Sequence, residues 1–179
     1  YEIGVRLVGS EMCIRDSNLS YWSSWSNGFN IWKSEFDKID KNLKLNKLFP
    51  HTSLFLTQHQ AKLFCINDNL LFDVQRIPKR GGHNKFEAFT IEYPSLLDEC
   101  CKKGHISTKC KKHILFGIMV QFLPSLLFNK YIIRIETFDD TGFRNNLKKY
   151  YPSYAYWLVL ISVLGVPFRL FCRKLKNKR

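Results

Sequence analysis

Residues 100–113, CCKKGHISTKCKKH, form the one cluster in the sequence whose residue types suit a metal. Cys100-x4-His105-x4-Cys110 has the spacing of the last three ligands of a zinc knuckle, with Gly104 just ahead of the histidine. Thiolate and imidazole favour tetrahedral zinc. The surrounding lysines would suit phosphates, so a soluble, basic nucleic-acid-binding domain is the alternative reading of the chain. The knuckle's first cysteine would fall at position 97, which is Leu97. Cys101 or His113 could supply a fourth ligand, but neither has that spacing. A basic linker with incidental cysteines explains the same residues, and the main expectation is no cofactor.

Catalytic templates fail. There is no Gly-x-Ser-x-Gly, no phosphate-binding P-loop and no Gly-x-Gly-x-x-Gly. Arg80-Gly81-Gly82-His83 is too short to cradle a phosphate. Asp139-Asp140-Thr141-Gly142 carries the letters of an aspartic protease, but the chain lacks a second such triplet, so a turn is expected there. The expectation is a protein that is not an enzyme.

The strongest signal is apolar. Residues 154–172, YAYWLVLISVLGVPFRLFC, hold no charge from Trp157 to Phe168. Tyr154 and Trp157, with Tyr150, Tyr151 and Tyr156, gather at the front as an aromatic belt would. Arg169, Arg173, Lys174, Lys176, Lys178 and Arg179 gather at the back. As one helix, the segment is about 28 Å long, close to the hydrocarbon thickness of a bilayer. Arg169 sits near its end, where it could snorkel. Tyr154, Trp157, Arg169, Arg173 and Lys174 are therefore the expected membrane anchors, with anionic headgroups meeting the basic end. Residues 113–128 make a shorter apolar segment, interrupted by Gln121 and Pro124, that could be a short or re-entrant span.

The elements around these segments read as mixed. Phe29, Trp32, Phe36, Ile39 and Leu43 recur at helical steps, which predicts a helix over 29–49 that Pro50 ends. Residues 53–75 read as a second helix. Residues 86–93 and 131–138 alternate apolar and polar positions and read as strands. The expected fold is thus α+β: a soluble mixed region over 18–112, the apolar segment 113–128, a loop with a strand over 129–153, a transmembrane helix over 154–172 and a basic cytoplasmic tail over 173–179. Lys102, Lys103, Lys109, Lys111 and Lys112 precede the first apolar segment, so the positive-inside rule puts both flanks and the C-terminus in the cytoplasm.

Two blocks resemble the family named transmembrane protein 151. Leu56-Thr57-Gln58 followed by Ala61-Lys62-Leu63-Phe64-Cys65-Ile66-Asn67-Asp68-Asn69-Leu70 is similar to that family's L-T-Q, then A-R-F-F-x-x-N-E-x-L. Pro152-Ser153-Tyr154-Ala155 through Pro167-Phe168-Arg169 looks like its last membrane segment, which opens P-W-Y-A and closes W-P-L-R. The sequence departs from the pattern at Val166, where a tryptophan stands in the family, and in the extra residues between the blocks. The resemblance implies a multi-pass membrane protein with earlier spans upstream, in a family without an established activity. A membrane-protein partner would suit it.

The chain has 179 residues, about one domain's worth, which excludes a large multidomain enzyme. Net charge is +13, pointing to an anionic partner. The first seventeen residues stand apart. Tyr1-Glu2, Leu7-Val8-Gly9-Ser10 and Glu11-Met12-Cys13-Ile14-Arg15-Asp16 match the in-frame translation of a sequencing-library adapter. Residues 1–17 are therefore expected to be an artefact, and the rest a C-terminal fragment. Removing Arg6, Arg15, Glu2, Glu11 and Asp16 leaves 26 basic and 12 acidic residues, a net +14. Five cysteines then remain, an odd number that argues against a disulfide scaffold.

Overall fold

The computed structural model describes residues 33–40, 43–57 and 84–176. The adapter-like residues 1–17, the first block of the family resemblance from Gln58 onward and the last three tail residues lie outside the described residues. Seven helices are described: α1 (Lys33–Phe36), α2 (Pro50–Thr57), α3 (residues 85–102), α4 (Thr108–Tyr131), α5 (Phe143–Tyr150), α6 (Ala155–Leu164) and α7 (Val166–Lys176). No strand occurs among the described residues, which overturns the expected α+β fold. They form two units, one from residues before 58 with 96–114, the other from 84–95 with 115–176.

Both strand expectations fail for physical reasons. Residues 86–93 open α3. Asn84 accepts hydrogen bonds from the Phe86 and Glu87 N–H groups at 3.0 and 3.5 Å and so starts a helix. Phe86, Phe89, Tyr93, Leu96, Leu97 and Cys100 are all buried, at helical spacing. Alternation over eight residues was the weaker of two overlapping periods. Residues 132–140 are irregular: Ile132, Ile133 and Ile135 are exposed, and Arg134 reverses the chain at φ +60.

In the first unit, Pro50 opens α2 instead of ending a helix. Its missing N–H costs nothing in a first turn. The Asn46 side chain accepts from the Leu48 and Phe49 N–H groups just ahead, both at 2.9 Å. Ser53 Oγ accepts from the Asn46 N–H at 3.1 Å and donates to the Phe49 carbonyl at 3.0 Å. Phe49, Phe55 and Leu56 are buried here. Of the expected helix over 29–49, the described part is helical only at Lys33–Phe36.

In the second unit, α4 from residue 115 and α6 form an antiparallel hairpin. α5 and the first half of α3 pack at its side. Both α3 and α4 carry a proline in mid-helix, and each proline follows a widened, π-type turn: Ala88–Glu92 before Pro94 and Ile118–Phe122 before Pro124. The Tyr93 N–H reaches back five residues to Ala88, and the Leu123 N–H likewise to Ile118. A proline lacks the N–H that would bond the preceding turn, and its ring crowds that turn, so a local widening accommodates it. The two wide turns meet: the Phe89 and Phe122 rings lie 4.2 Å apart between centroids.

Each wide turn also draws in a donor from elsewhere in the unit. Tyr151, buried, donates its hydroxyl to the Phe89 carbonyl at 2.7 Å. Burial pushes the Tyr151 phenol well above its ordinary pKa, so it remains a donor. Thr90 Oγ1 donates to the Phe86 carbonyl at 2.6 Å. Tyr151→Phe keeps the ring and strands the buried Phe89 carbonyl. It should destabilise the fold by about 1–3 kcal/mol, read as a lowered midpoint in denaturant unfolding of the full chain in detergent.

Candidate functional site

The Cys/His cluster lies in the turn between α3 and α4, and the turn explains its spacing. Gly104 has φ +75, the left-handed conformation that favours glycine. The His105 N–H donates to the Cys100 carbonyl at 2.9 Å and the Gly104 N–H to the Cys101 carbonyl at 3.1 Å, the paired bonds of a Schellman helix end. Ser107 then caps α4 by accepting from the Cys110 N–H at 3.1 Å. Cys100 and Cys110 are buried, and burial pushes the Cys101 thiol up, against thiolate. Among the described residues no three His, Cys, Asp or Glu side chains converge to hold a metal, and Cys100, His105 and Cys110 are not brought together as ligands.

Asp139-Asp140-Thr141-Gly142 is a turn. Asp139 accepts from the Thr141 N–H at 2.9 Å and its hydroxyl at 2.6 Å, and these bonds hold the Asp139 carboxyl below its usual pKa. Gly142 takes φ +78 and leads into α5. Asp140 turns the other way. It accepts from Lys130 Nζ at 2.6 Å and from the Tyr131 hydroxyl. Partial burial pushes the Asp140 carboxyl up, but the bonds from Lys130 and Tyr131 outweigh it and leave the pKa lowered. Nearby, Lys85 bonds Glu136 at 3.1 Å and lies over the Phe138 ring. These contacts tie the irregular 132–140 stretch to the ends of α3 and α4.

An extended apolar surface runs along α6 and α7. Tyr154, Trp157, Ile161, Leu164, Phe168 and Phe171 are each more than half exposed, Leu164 to 80%. Their steps of three, four, three, four and three put them on one stripe, which Gly165 interrupts only as a break between the two helices. No charged side chain is exposed from Tyr154 to Phe171. Soluble surfaces rarely carry an apolar patch of this extent without polar neighbours. The opposite face is packed, with Ala155, Val159 and Val166 buried.

Arg169 belongs to that packed side. Its guanidinium donates to the Val120 carbonyl of α4 and, at 3.3 Å, to the Ser162 carbonyl of α6. Val120 lies in the widened turn just ahead of Pro124, where the regular helical hydrogen-bond pattern is interrupted. Ser125 Oγ serves the next carbonyl, Gln121, at 2.7 Å. Of the other expected anchors, Tyr154 and Trp157 lie on the exposed stripe, and Arg173 and Lys174 fall in the last turns of α7. Sequence reasoning missed the inward use of Arg169 and Tyr151. The available signal was the pair of mid-helix prolines, each of which obliges some distant donor to come.

Among the described residues, α4 is the one helix long and apolar enough to cross a membrane, at 24 residues, with half of its most apolar stretch buried. α6 is apolar but has ten residues. In comparisons with family models, curated proteins and solved structures, nothing matched the chain.

Two outcomes follow from these contacts. Arg169→Met retains bulk but leaves the Val120 carbonyl unserved, and should cost about 1–3 kcal/mol in detergent unfolding, more than Arg169→Lys. Asp140 has a lowered pKa in the fold, so its contribution is full above the unfolded value near pH 4 and is lost as pH falls through the lowered one. The stability gap between the wild-type chain and Asp140→Asn should therefore be constant from pH 8 to about 5 and close in stronger acid, read by thermal melts across pH.

Proposed function

We propose that the chain is an integral membrane protein with a structural or interaction role and no catalytic activity. In this reading α4 and α6–α7 form a hairpin embedded in the bilayer. The observation that carries it is the exposed stripe from Tyr154 to Phe171, a stretch in which no charged side chain is exposed. In water such a face is costly; against acyl chains it is not.

Three further features support the reading. The only cation within the apolar part of α6–α7, Arg169, is half-buried and bonded to backbone carbonyls, as an arginine at membrane depth must be. Tyr131, Tyr154 and Trp157 are exposed near the connected end of the hairpin, where an aromatic belt would meet headgroups. Lysines flank the uncharged residues 114–128, a run about 22 Å long that a locally thinned bilayer accommodates. Basic residues before α4 and after α6 put both outer ends of the hairpin in the cytoplasm by the positive-inside rule. Kinship with the transmembrane protein 151 family is part of the same proposal, its second block falling on α6 and α7.

The test is membrane fractionation of the full chain carrying a C-terminal tag. The protein should remain in the pellet after a carbonate wash, and protease added to sealed, cytoplasmic-side-in vesicles should spare the tag. A chain that washes into the supernatant would mean that protein, not lipid, covers the stripe.

A further inference from the structure

Resting on the membrane reading, the structure assigns a second lipid contact: an anionic phospholipid headgroup site at the cytoplasmic start of α4, formed by Lys102, Lys109 and Lys112. The argument begins with charge pairing. Between residues 98 and 113 there are five lysines and two acids. Both acids are engaged, Asp98 by Lys111 and Glu99 by Lys103 at 3.2 Å. Lys102, Lys109 and Lys112 are exposed and take no part in these pairs. The cluster therefore presents uncompensated positive charge where the chain turns into α4.

Placement on the helix makes the charge specific for a bilayer surface. Lys109, Lys112, His113 and Phe116 stand at i, i+3, i+4 and i+7, so they share one face of α4, and all four are exposed. Lys112 to Phe116 is a rise of about 6 Å, roughly the step from a headgroup phosphate to the first acyl carbons. Along one face the helix passes from lysine to an exposed phenylalanine and then into the uncharged run. A nucleic acid would be served by the lysines alone and gives no reason for Phe116 to be exposed among them. An anionic phospholipid uses both, the phosphate on the lysines and the upper acyl chain on the ring. The neighbouring turn is closed by the Gly104 helix end and the Ser107 cap, which sets these cations at the start of α4.

The experiment is lipid co-purification. The full chain is reconstituted in vesicles of equimolar phosphatidylcholine and phosphatidylglycerol, re-extracted in mild detergent, and its retained lipid is quantified. The wild-type chain should retain phosphatidylglycerol in excess of the vesicle ratio. The excess should fall about fivefold for each of Lys102→Gln, Lys109→Gln and Lys112→Gln, the equivalent of about 1 kcal/mol for a basic residue at an anionic surface. High salt should have the same effect. Lys148→Gln with Lys149→Gln, at the other end of the hairpin, should leave the excess unchanged. Retention at the vesicle ratio by the wild-type chain, or an excess that survives all three substitutions, overturns the inference while a carbonate-resistant pellet leaves the membrane reading standing. Lysine-dependent retention of single-stranded RNA with no phosphatidylglycerol excess overturns it in favour of nucleic acid. A chain that carbonate removes overturns both.

Discussion

A proline inside a helix takes away one N–H and leaves a carbonyl to be served from elsewhere. The second unit is organised around two such interruptions. Pro94 and Pro124 each follow a widened turn, the two turns face each other through Phe89 and Phe122, and the donors come from far along the chain: Tyr151 to the Phe89 carbonyl and Arg169 to the Val120 carbonyl. The tyrosine fixes the start of α6 relative to α3, and the arginine fixes α7 relative to α4. Apolar packing would allow these helices to slide; the directed bonds select one register.

Helix breaks and exposed apolar faces were partly legible in the sequence, and the secondary-structure class was not. The apolar segments 113–128 and 154–172 are plain in the residues, and both become helical hairpin elements. What the residues could not reveal is that Gly165 divides the second into α6 and α7, because a glycine in an apolar run is compatible with either a continuous or a broken helix. The strand expectations rested on windows of eight residues. In FEAFTIEY, Phe89, Ile91 and Tyr93 satisfy a two-residue period while Phe86, Phe89 and Tyr93 satisfy a helical one, and the buried residues beyond Tyr93 decide for the helix. In YIIRIETF the β-branched residues are present, but no partner strand exists among the described residues to pair them. Pro50 was read as a stop but opens a helix, and Pro124, read as an interruption of the apolar segment, is accommodated within one.

The Cys100-x4-His105-x4-Cys110 spacing shows why a motif needs its structural context. A helix that ends on a left-handed glycine and restarts on a serine cap has its own characteristic spacing, and here Gly104 and Ser107 occupy those two positions. The glycine that suggested a knuckle is present for its φ angle. Cys100 and Cys110 on either side are buried as small apolar residues, and burial pushes the neighbouring Cys101 thiol up, away from thiolate.

The Arg169–Val120 bond joins residues 49 positions apart. At a synthesis rate of about 5–20 residues per second, α4 is complete for roughly 2–8 s before Arg169 is made. During that interval the Val120 carbonyl is without its Arg169 donor. α4 is thus made before the side chain that completes its wide turn, and that turn acquires its native partner only when α7 arrives. The order of synthesis and the order of burial are coupled through a single guanidinium.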